Sequence, residues 1–490
     1  MEFPDDRFRD EELFPADREA EPAPPPSPRP IDESNGGQSF TTVTAEEEEE
    51  IAPFLPAQPQ ALADTGLSRA FLIDLALKTI HYAGLPAATR VTERMALPTG
   101  IVQEILAMLV DDHLCEIVST SNTMTGNYRY RLTSTGMERV ADALQRCRYA
   151  GPAPVTAEQY IEVAEQQRAT RPPPSRQSIE EALSELVLAP EVADALARAF
   201  HSGRCTLLYG PSGDGKTFVL EALARHLEGV VLVPYAIYAQ GQIIRVFDSS
   251  VHLPAHEARG QSLPSMDAGE AEDTSRRDQR WAVVRRPAVM AGGELGPESL
   301  ELAYDPVSRF YQAPPHLKAQ GGMLVVDDFG RQRIRPEDLL NRWLAPLERG
   351  WDSLAFQTGE KISMPFDVHL LFATNLRVEL LLDQAFLRRI LYKVEVPNPG
   401  PGEFREILRR ACQDRGVMTS EEALGYVVQR LYDDGSLKPR GSYARDLLDI
   451  VVESAKYDNT EPAITPEAFE QAYRLFVPGR ADSVAGAASS

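Results

Sequence analysis

The chain of 490 residues has few cysteines, no long apolar run and fewer basic than acidic side chains. Its four cysteines, Cys115, Cys147, Cys205 and Cys412, form no C-x-x-C pair and no metal-binding spacing, which favours reduced, buried thiols. No stretch approaches about eighteen consecutive apolar residues, the length expected of a membrane span. The first residues are acidic and lack an apolar centre, so they do not predict a secretory signal. These absences together predict a cytoplasmic protein.

The negative charge is concentrated in the first residues. Of a net charge of −23, residues 1–63 contribute −12, because they hold sixteen acidic and four basic side chains. This proline-rich segment has little to bury, so we expect residues 1–63 to be disordered, and likewise residues 478–490. The acidic clusters either solubilise the chain or bind a basic partner. An acidic chain repels nucleic acid unless a basic patch is segregated, which disfavours a nucleic-acid partner.

Residues 64–150 are predicted to form a small domain of three helices and a two-stranded ribbon. Helical apolar spacing begins near Ala70, and two more helices are expected at residues 88–95 and 99–112. Strands follow at residues 115–118 and 128–133. This order resembles a winged helix. The resemblance leaves open whether the domain binds DNA or docks a protein.

The third helix of this domain argues for protein docking. It holds Glu104, Asp111 and Asp112 and has neither lysine nor arginine, whereas a helix in the major groove normally presents basic or amide groups.

A phosphate-binding loop is the strongest motif in the chain. It follows the short apolar strand that ends at Tyr209 and precedes a helix that continues through Phe218. Its glycines let backbone N–H groups curl around an anion, Lys216 can reach the terminal phosphates, and the hydroxyl of Thr217 can bind Mg²⁺. Because strand, loop and helix come in the required order, we predict an ATP site. The loop consists of Gly210, Pro211, Ser212, Gly213, Asp214, Gly215, Lys216 and Thr217, and these residues together with Phe218 are predicted to bind ATP.

Two further apolar runs end in polar side chains that such a site needs. Residues 322–326 lead into Asp327 and Asp328, and residues 369–373 lead into Thr374 and Asn375. The first aspartate can hold the Mg²⁺ shell, and the second can orient or deprotonate the attacking water. Asn375 can reach a γ-phosphate or its water. Each run is also compatible with an ordinary buried strand.

These motifs together resemble the AAA+ ATPases, loosely their MoxR-like branch, over residues 178–477. The resemblance implies that Asp327 is a metal ligand, that Asp328 and Asn375 act in hydrolysis, and that Arg388 or Arg389 reaches the nucleotide of a neighbouring subunit. It also implies that Arg445, or less favourably Arg440, contacts the nucleotide from a helical lid. Arg388 and Arg389 are otherwise compatible with helix capping. The family usually has glutamate where Asp328 stands, which leaves the hydrolysis rate open.

The resemblance implies an α/β core at residues 178–400 and a helical lid at residues 401–477. Composition predicts a linker at residues 151–177, which contain a proline run, and a mobile insert at residues 254–280, which are polar and acidic without periodicity. Between the two nucleotide motifs we predict two ribbons. One joins residues 233–237 to 243–247, and the other joins residues 281–286 to 288–291. The aromatic side chains there either pack in the core or grip a client, namely Tyr235, Tyr238 and Trp281.

The predicted function is therefore ATP hydrolysis coupled to remodelling of an unidentified protein client. A shared arginine implies a homo-oligomeric ring, a hexamer by resemblance. Two alternatives stay open: a DNA-associated ATPase or regulator that uses the winged helix, and a nucleotide-gated scaffold that hydrolyses little ATP.

Overall fold

The structure, a computed structural model, describes residues 55–118, 128–255, 277–378, 388–433 and 439–477. Nearly all of the predicted acidic tail, most of the predicted insert and the whole predicted tail at residues 478–490 lie outside these ranges. Within them, no helix combines the length and the apolar character that crossing a membrane requires.

The first elements build one small apolar core. Ser68 caps the first helix by accepting a hydrogen bond from the backbone N–H of Phe71. The two strands pair antiparallel, with Cys115 opposite Leu132. The predicted order of three helices and a ribbon is confirmed, and the winged-helix resemblance stays a prediction. The elements are α1 (Arg69–Ala83), α2 (Ala88–Met95), α3 (Thr99–Asp111), β1 (Cys115–Val118), β2 (Arg129–Leu132) and α4 (Ser134–Arg146).

The middle of the chain alternates strands and helices. The elements are β3 (Val155–Thr156), α5 (Ala157–Thr170), α6 (Arg176–Ser184), α7 (Pro190–His201), β4 (Thr206–Tyr209), α8 (Lys216–Arg225), β5 (Val230–Pro234), β6 (Ala236–Ala239), β7 (Gln242–Arg245), β8 (Trp281–Arg285), β9 (Ala288–Ala291), β10 (Ala303–Asp305), β11 (Phe310–Gln312), α9 (Pro315–Lys318), β12 (Met323–Val326), α10 (Pro336–Arg349), β13 (Trp351–Ala355), β14 (Lys361–Pro365), β15 (His369–Thr374) and β16 (Tyr392–Glu395).

A parallel sheet with strand order β16-β4-β15-β12-β9 forms the centre. Every residue of β12 and β15 is buried, as expected for strands covered by helices on both faces. One face packs against α6, α7 and α8, and the other packs against α10. Because the strands are parallel, their carboxyl ends lie along one edge of the sheet. The predicted α/β fold with a parallel sheet is confirmed.

A second sheet, with strand order β10-β11-β7-β6-β3, packs against the N-terminal helices. The ring of Tyr238 on β6 lies 4.7 Å from that of Phe71 on α1, and Tyr149 lies 5.7 Å from Phe310. Residues 151–177, expected to be a linker, contain β3 and α5, whose apolar side chains belong to a buried cluster with β5 to β8. Strands β6 and β11 therefore contact the N-terminal domain.

One of the two predicted ribbons is correct in part and the other is wrong. Strands β6 and β7 pair antiparallel, but Val233 and Pro234, expected in the same ribbon, pair with β8 instead. Strands β8 and β9, expected to pair with each other, lie in different sheets, because β8 pairs with β5 and β9 joins β12 in the central sheet. Trp281 is buried and stacks on Tyr160, and Tyr235 packs on Phe247, so both contribute to packing.

Four helices follow the central sheet and share a core of their own. The helices are α11 (Pro401–Asp414), α12 (Glu421–Asp433), α13 (Gly441–Tyr457) and α14 (Pro466–Phe476).

The cysteines are free thiols, as predicted. Cys115, Cys205 and Cys412 are buried, and burial raises the pKa of the thiols of Cys115 and Cys205 to about 12. Cys147 is only half-buried. The buried thiols are therefore protonated and unreactive at neutral pH.

Candidate nucleotide site

The phosphate-binding loop leaves the carboxyl end of β4 and enters α8, as predicted. Gly210 needs to be glycine, because a Cβ there would lie 2.1 Å from the carbonyl oxygen of Val396. Gly213 and Gly215 have φ angles of +88° and +86°, which side-chain-bearing residues rarely adopt. These three glycines thus fix the curvature of the loop around the first residue of α8, Lys216.

The ammonium group of Lys216 lies inside this loop. Its Nζ donates to the carbonyl oxygens of Gly210 and Pro211, at 3.0 and 2.6 Å. Burial lowers the pKa of Lys216, and the nearby carboxylates of Asp214, Asp327 and Asp328 oppose that shift. The lysine is therefore a buried cation surrounded by acidic side chains, and it holds carbonyl oxygens that a phosphate could replace.

Thr217 and Asp327 meet across two neighbouring elements. The Oγ1 of Thr217 donates to Oδ2 of Asp327 over 2.8 Å, although the residues are 110 positions apart. A hydroxyl and a carboxylate oxygen are ligands that Mg²⁺ accepts, and Mg²⁺ usually keeps several waters besides one or two carboxylates. The two side chains therefore fit a magnesium ion that is shared with a bound nucleotide.

Asp328 is held in an uncommon backbone conformation. Its φ is +48°, a left-handed value that aspartate and asparagine tolerate better than most residues. Its N–H donates to Oδ1 of Asp327, and the next residue, Phe329, donates its N–H to the carbonyl oxygen of Ala373. Thr374 in turn donates its hydroxyl to the carbonyl oxygen of Phe329. The exposed Asp328 carboxylate is thus presented by a turn that is fixed to β15.

Asn375 lies beside this turn. Its Oδ1 is 3.4 Å from Nη2 of Arg331, four residues after Asp327. This pairing was not predicted from the sequence. The turn is further held by Gln332, whose Nε2 donates to the carbonyl oxygens of Asp327 and Asp328.

The helical domain also reaches the loop. The guanidinium carbon of Arg445 lies 4.0 Å from the ring centroid of Phe218, one residue beyond Thr217. The backbone N–H of Ser442 donates to the carbonyl oxygen of Gly213 over 2.8 Å. Arg440 contributes a positive potential at Asp214. Both candidate lid arginines therefore lie at the start of α13, next to the loop.

Arg388 and Arg389 lie away from these groups. They come just before β16, whose first residue, Tyr392, pairs with Thr206 at the start of β4. They are therefore at the amino edge of the sheet, roughly 10 Å or more from the loop at about 3.3 Å per strand residue. Arg389 donates to Glu348 near the end of α10, at 2.7 Å. The helix predicted before them falls outside the described residues.

Comparisons with known proteins find matching family models and similar solved structures. A family model described as an AAA ATPase domain matches residues 190–356, and a domain of unknown function, DUF8689, matches residues 400–475. The chain is structurally similar to NtrX from Brucella abortus, at 14% identity and a TM-score of 0.37, covering 72% of this chain and 69% of that chain. It is also similar to the Thermotoga maritima RuvB Holliday junction branch migration motor, at 16% identity and a TM-score of 0.33, covering 59% and 70%. No curated protein matches the chain.

The AAA ATPase match covers the loop, Asp327 and Asp328. The predicted P-loop α/β core is thereby confirmed. The closer assignment to a MoxR-like branch stays a prediction.

Proposed function

We propose that the protein is a ring-forming AAA+ ATPase that couples ATP hydrolysis to remodelling of a protein partner. The observation that carries this proposal is the contact of Thr217 with Asp327 at the edge where Lys216, Asp328 and Asn375 also lie. Separate strands bring these groups together, and each has a chemical use in phosphoryl transfer.

In the proposed reaction, backbone N–H groups of the loop and Lys216 bind the phosphates of ATP. Lys216 exchanges its carbonyl partners for phosphate oxygens. Thr217 and Asp327 hold Mg²⁺, which neutralises charge that develops on the phosphates. Asp328 orients or deprotonates the attacking water, and Asn375 positions it.

The arginines at the amino edge support the ring. Arg388 and Arg389 precede β16 at the amino edge of the sheet, the edge opposite to the loop of their own subunit. In our proposal they reach the nucleotide of the next subunit, where an arginine can supply roughly 10³-fold or more in rate. Hydrolysis then depends on assembly.

The exposed surface of α3 is better suited to a protein partner than to DNA. The helix packs its apolar side chains into the N-terminal core and exposes Gln103, Glu104 and Asp111. DNA phosphates would be repelled by such a face, whereas a basic or neutral protein surface would not.

Mixing two inactive variants tests the shared site. Asp328→Asn removes the proposed base and keeps both arginines, whereas Arg388→Ala/Arg389→Ala removes the arginines and keeps the base. We expect each to release little phosphate alone and a mixture to recover part of the wild-type rate. The control is a triple variant that carries all three changes, which supplies no arginine and should rescue nothing. The proposal would be contradicted if mixing the two variants restored no phosphate release. It would also be contradicted if the triple variant restored as much phosphate release as Asp328→Asn does.

A nucleotide-gated scaffold is the second candidate. It is favoured by Asp328, whose carboxylate is one methylene shorter than the glutamate typical of the family and whose backbone is left-handed. Tight nucleotide binding without phosphate release by the assembled wild type would support it.

A further inference from the structure

The helix α13 lacks a capping side chain of its own. Its preceding residue, Arg440, makes no side-chain cap, although the first N–H groups of a helix need acceptors. The acceptor comes instead from the phosphate-binding loop, where Oδ1 of Asp214 accepts from the N–H of Gly441 at 3.1 Å. Next to it, the N–H of Ser442 donates to Gly213. Two consecutive residues of the loop thus hold the start of the lid.

Only one of the two carboxylate oxygens of Asp214 has a hydrogen-bond partner among the described residues. The residue is 8% exposed, and its Oδ2 has no hydrogen-bond partner among the described residues. Burial raises the pKa of Asp214, and the Gly441 N–H, Lys216 and Arg440 oppose that shift. The loop is suited to phosphate, and a buried carboxylate with one unpaired oxygen in it disfavours nucleotide binding by repelling the phosphates.

We propose that Asp214 is a positioning residue that latches the lid onto the phosphate loop and opposes the incoming triphosphate. A helix N-terminus favours an anion, and the carboxylate of Asp214 supplies one at the start of α13. The phosphates bring like charge beside Asp214 and are themselves anions suited to the same helix end. Nucleotide binding therefore weakens the Asp214 contact and frees the lid to move, which deepens and rests on the proposed function.

The latch itself is tested without nucleotide. Hydrogen exchange of residues 441–447 is compared between the wild type, Asp214→Asn and Asp214→Ala. We expect the Gly441 amide to exchange about tenfold faster in Asp214→Ala, because the acceptor is lost, and less so in Asp214→Asn, which keeps a neutral acceptor. The matched control is Asp446→Asn, which removes the same charge from an exposed position on α13. Unchanged exchange in Asp214→Ala would overturn the latch.

Titration with magnesium and a non-hydrolysable ATP analogue tests whether the charge of Asp214 weakens nucleotide binding. We expect Asp214→Asn to bind roughly three- to tenfold more tightly than the wild type, because a like charge is removed while the cap is retained. Asp446→Asn should bind as the wild type does. A purely structural role for Asp214 predicts equal or weaker binding, and that result would overturn this half of the proposal.

The two experiments separate this inference from the proposed function. If the wild type binds no nucleotide, the proposed function and the charge opposition both fail. The exchange experiment still decides whether Asp214 holds the lid, because it uses the nucleotide-free protein alone.

Discussion

The two edges of the central sheet differ in what they present. At the carboxyl edge, β4, β12 and β15 end in the phosphate loop, Asp327 and Asn375, and the lid joins them there. At the amino edge, the same strands begin with packed side chains such as His369, and the arginine pair precedes β16. In our proposal, this difference separates groups that act within one subunit from groups that act between subunits or only stabilise the fold.

The largest expected effect comes from removing the loop lysine. Lys216→Ala should weaken nucleotide affinity by about 100-fold or more, because a buried ammonium that would pair with phosphates is lost. Lys393→Ala is the matched control at the other edge, where Nζ of Lys393 donates to the carbonyl oxygen of Ile390. Titration with fluorescent ATP should leave the control within about twofold of the wild type. Equal losses in both variants would remove the distinction between the edges.

The next effect separates binding from hydrolysis. Asp328→Asn should keep nucleotide affinity and lower turnover by about 100-fold, a typical contribution of a general base. Asparagine adopts left-handed φ angles readily, so the turn should persist. Asp328→Glu should fold less well at this φ and should not exceed the wild-type rate. Phosphate-release assays check both variants. A glutamate variant faster than the wild type would show that the shorter side chain, not the backbone, limits hydrolysis.

The strand-end motifs could be predicted because their signals are local. The glycine spacing of the loop, Asp327 after one apolar run and Asn375 after another each fit within a few residues, and parallel strands bring their ends together. The ribbon of residues 281–286 and 288–291 was wrong because β9 pairs with β12, more than thirty positions later. A short apolar run does not specify its partner.

The contact between lid and loop could not be predicted for a related reason. Asp214 and Gly441 are 227 positions apart, and neither residue alone indicates a cap. Asp214 counted in the sequence as one more residue of the loop, with only its backbone assigned a use. A cap across domains is a product of tertiary packing, so it becomes visible only in the structure.

A smaller effect distinguishes the two arginines at the amino edge. Arg389 already pairs with Glu348, whereas no described residue forms an ion pair with Arg388. We therefore expect Arg388→Ala to lower assembly-dependent turnover by roughly tenfold or more, and Arg389→Ala to lower it less and to reduce thermal stability slightly. Turnover is measured over a range of protein concentrations. A larger loss with Arg389→Ala would assign the intersubunit role to the residue held by Glu348.

The smallest effect concerns the stability of the amino edge as the pH falls. His369 is buried at the start of β15, and burial lowers its pKa from 6.5 to about 4. In the unfolded chain the imidazole therefore takes up a proton below pH 6.5 that the folded chain takes up only near pH 4. The free energy of unfolding should therefore fall as the pH decreases from 6.5 to about 4. Below that range His369 is protonated in both states, so it should cause no further fall.

His369→Gln isolates this contribution, because glutamine does not titrate. We expect the free energy of unfolding to fall by about 2–3 kcal/mol more in the wild type than in the variant between pH 6.5 and 4, measured by urea unfolding. Nucleotide affinity at neutral pH should change little, because His369 lies at the edge opposite the loop. Parallel stability curves would show that burial of His369 does not cause this pH dependence, and a large loss of affinity would place His369 in the nucleotide site and remove the contrast between the two edges.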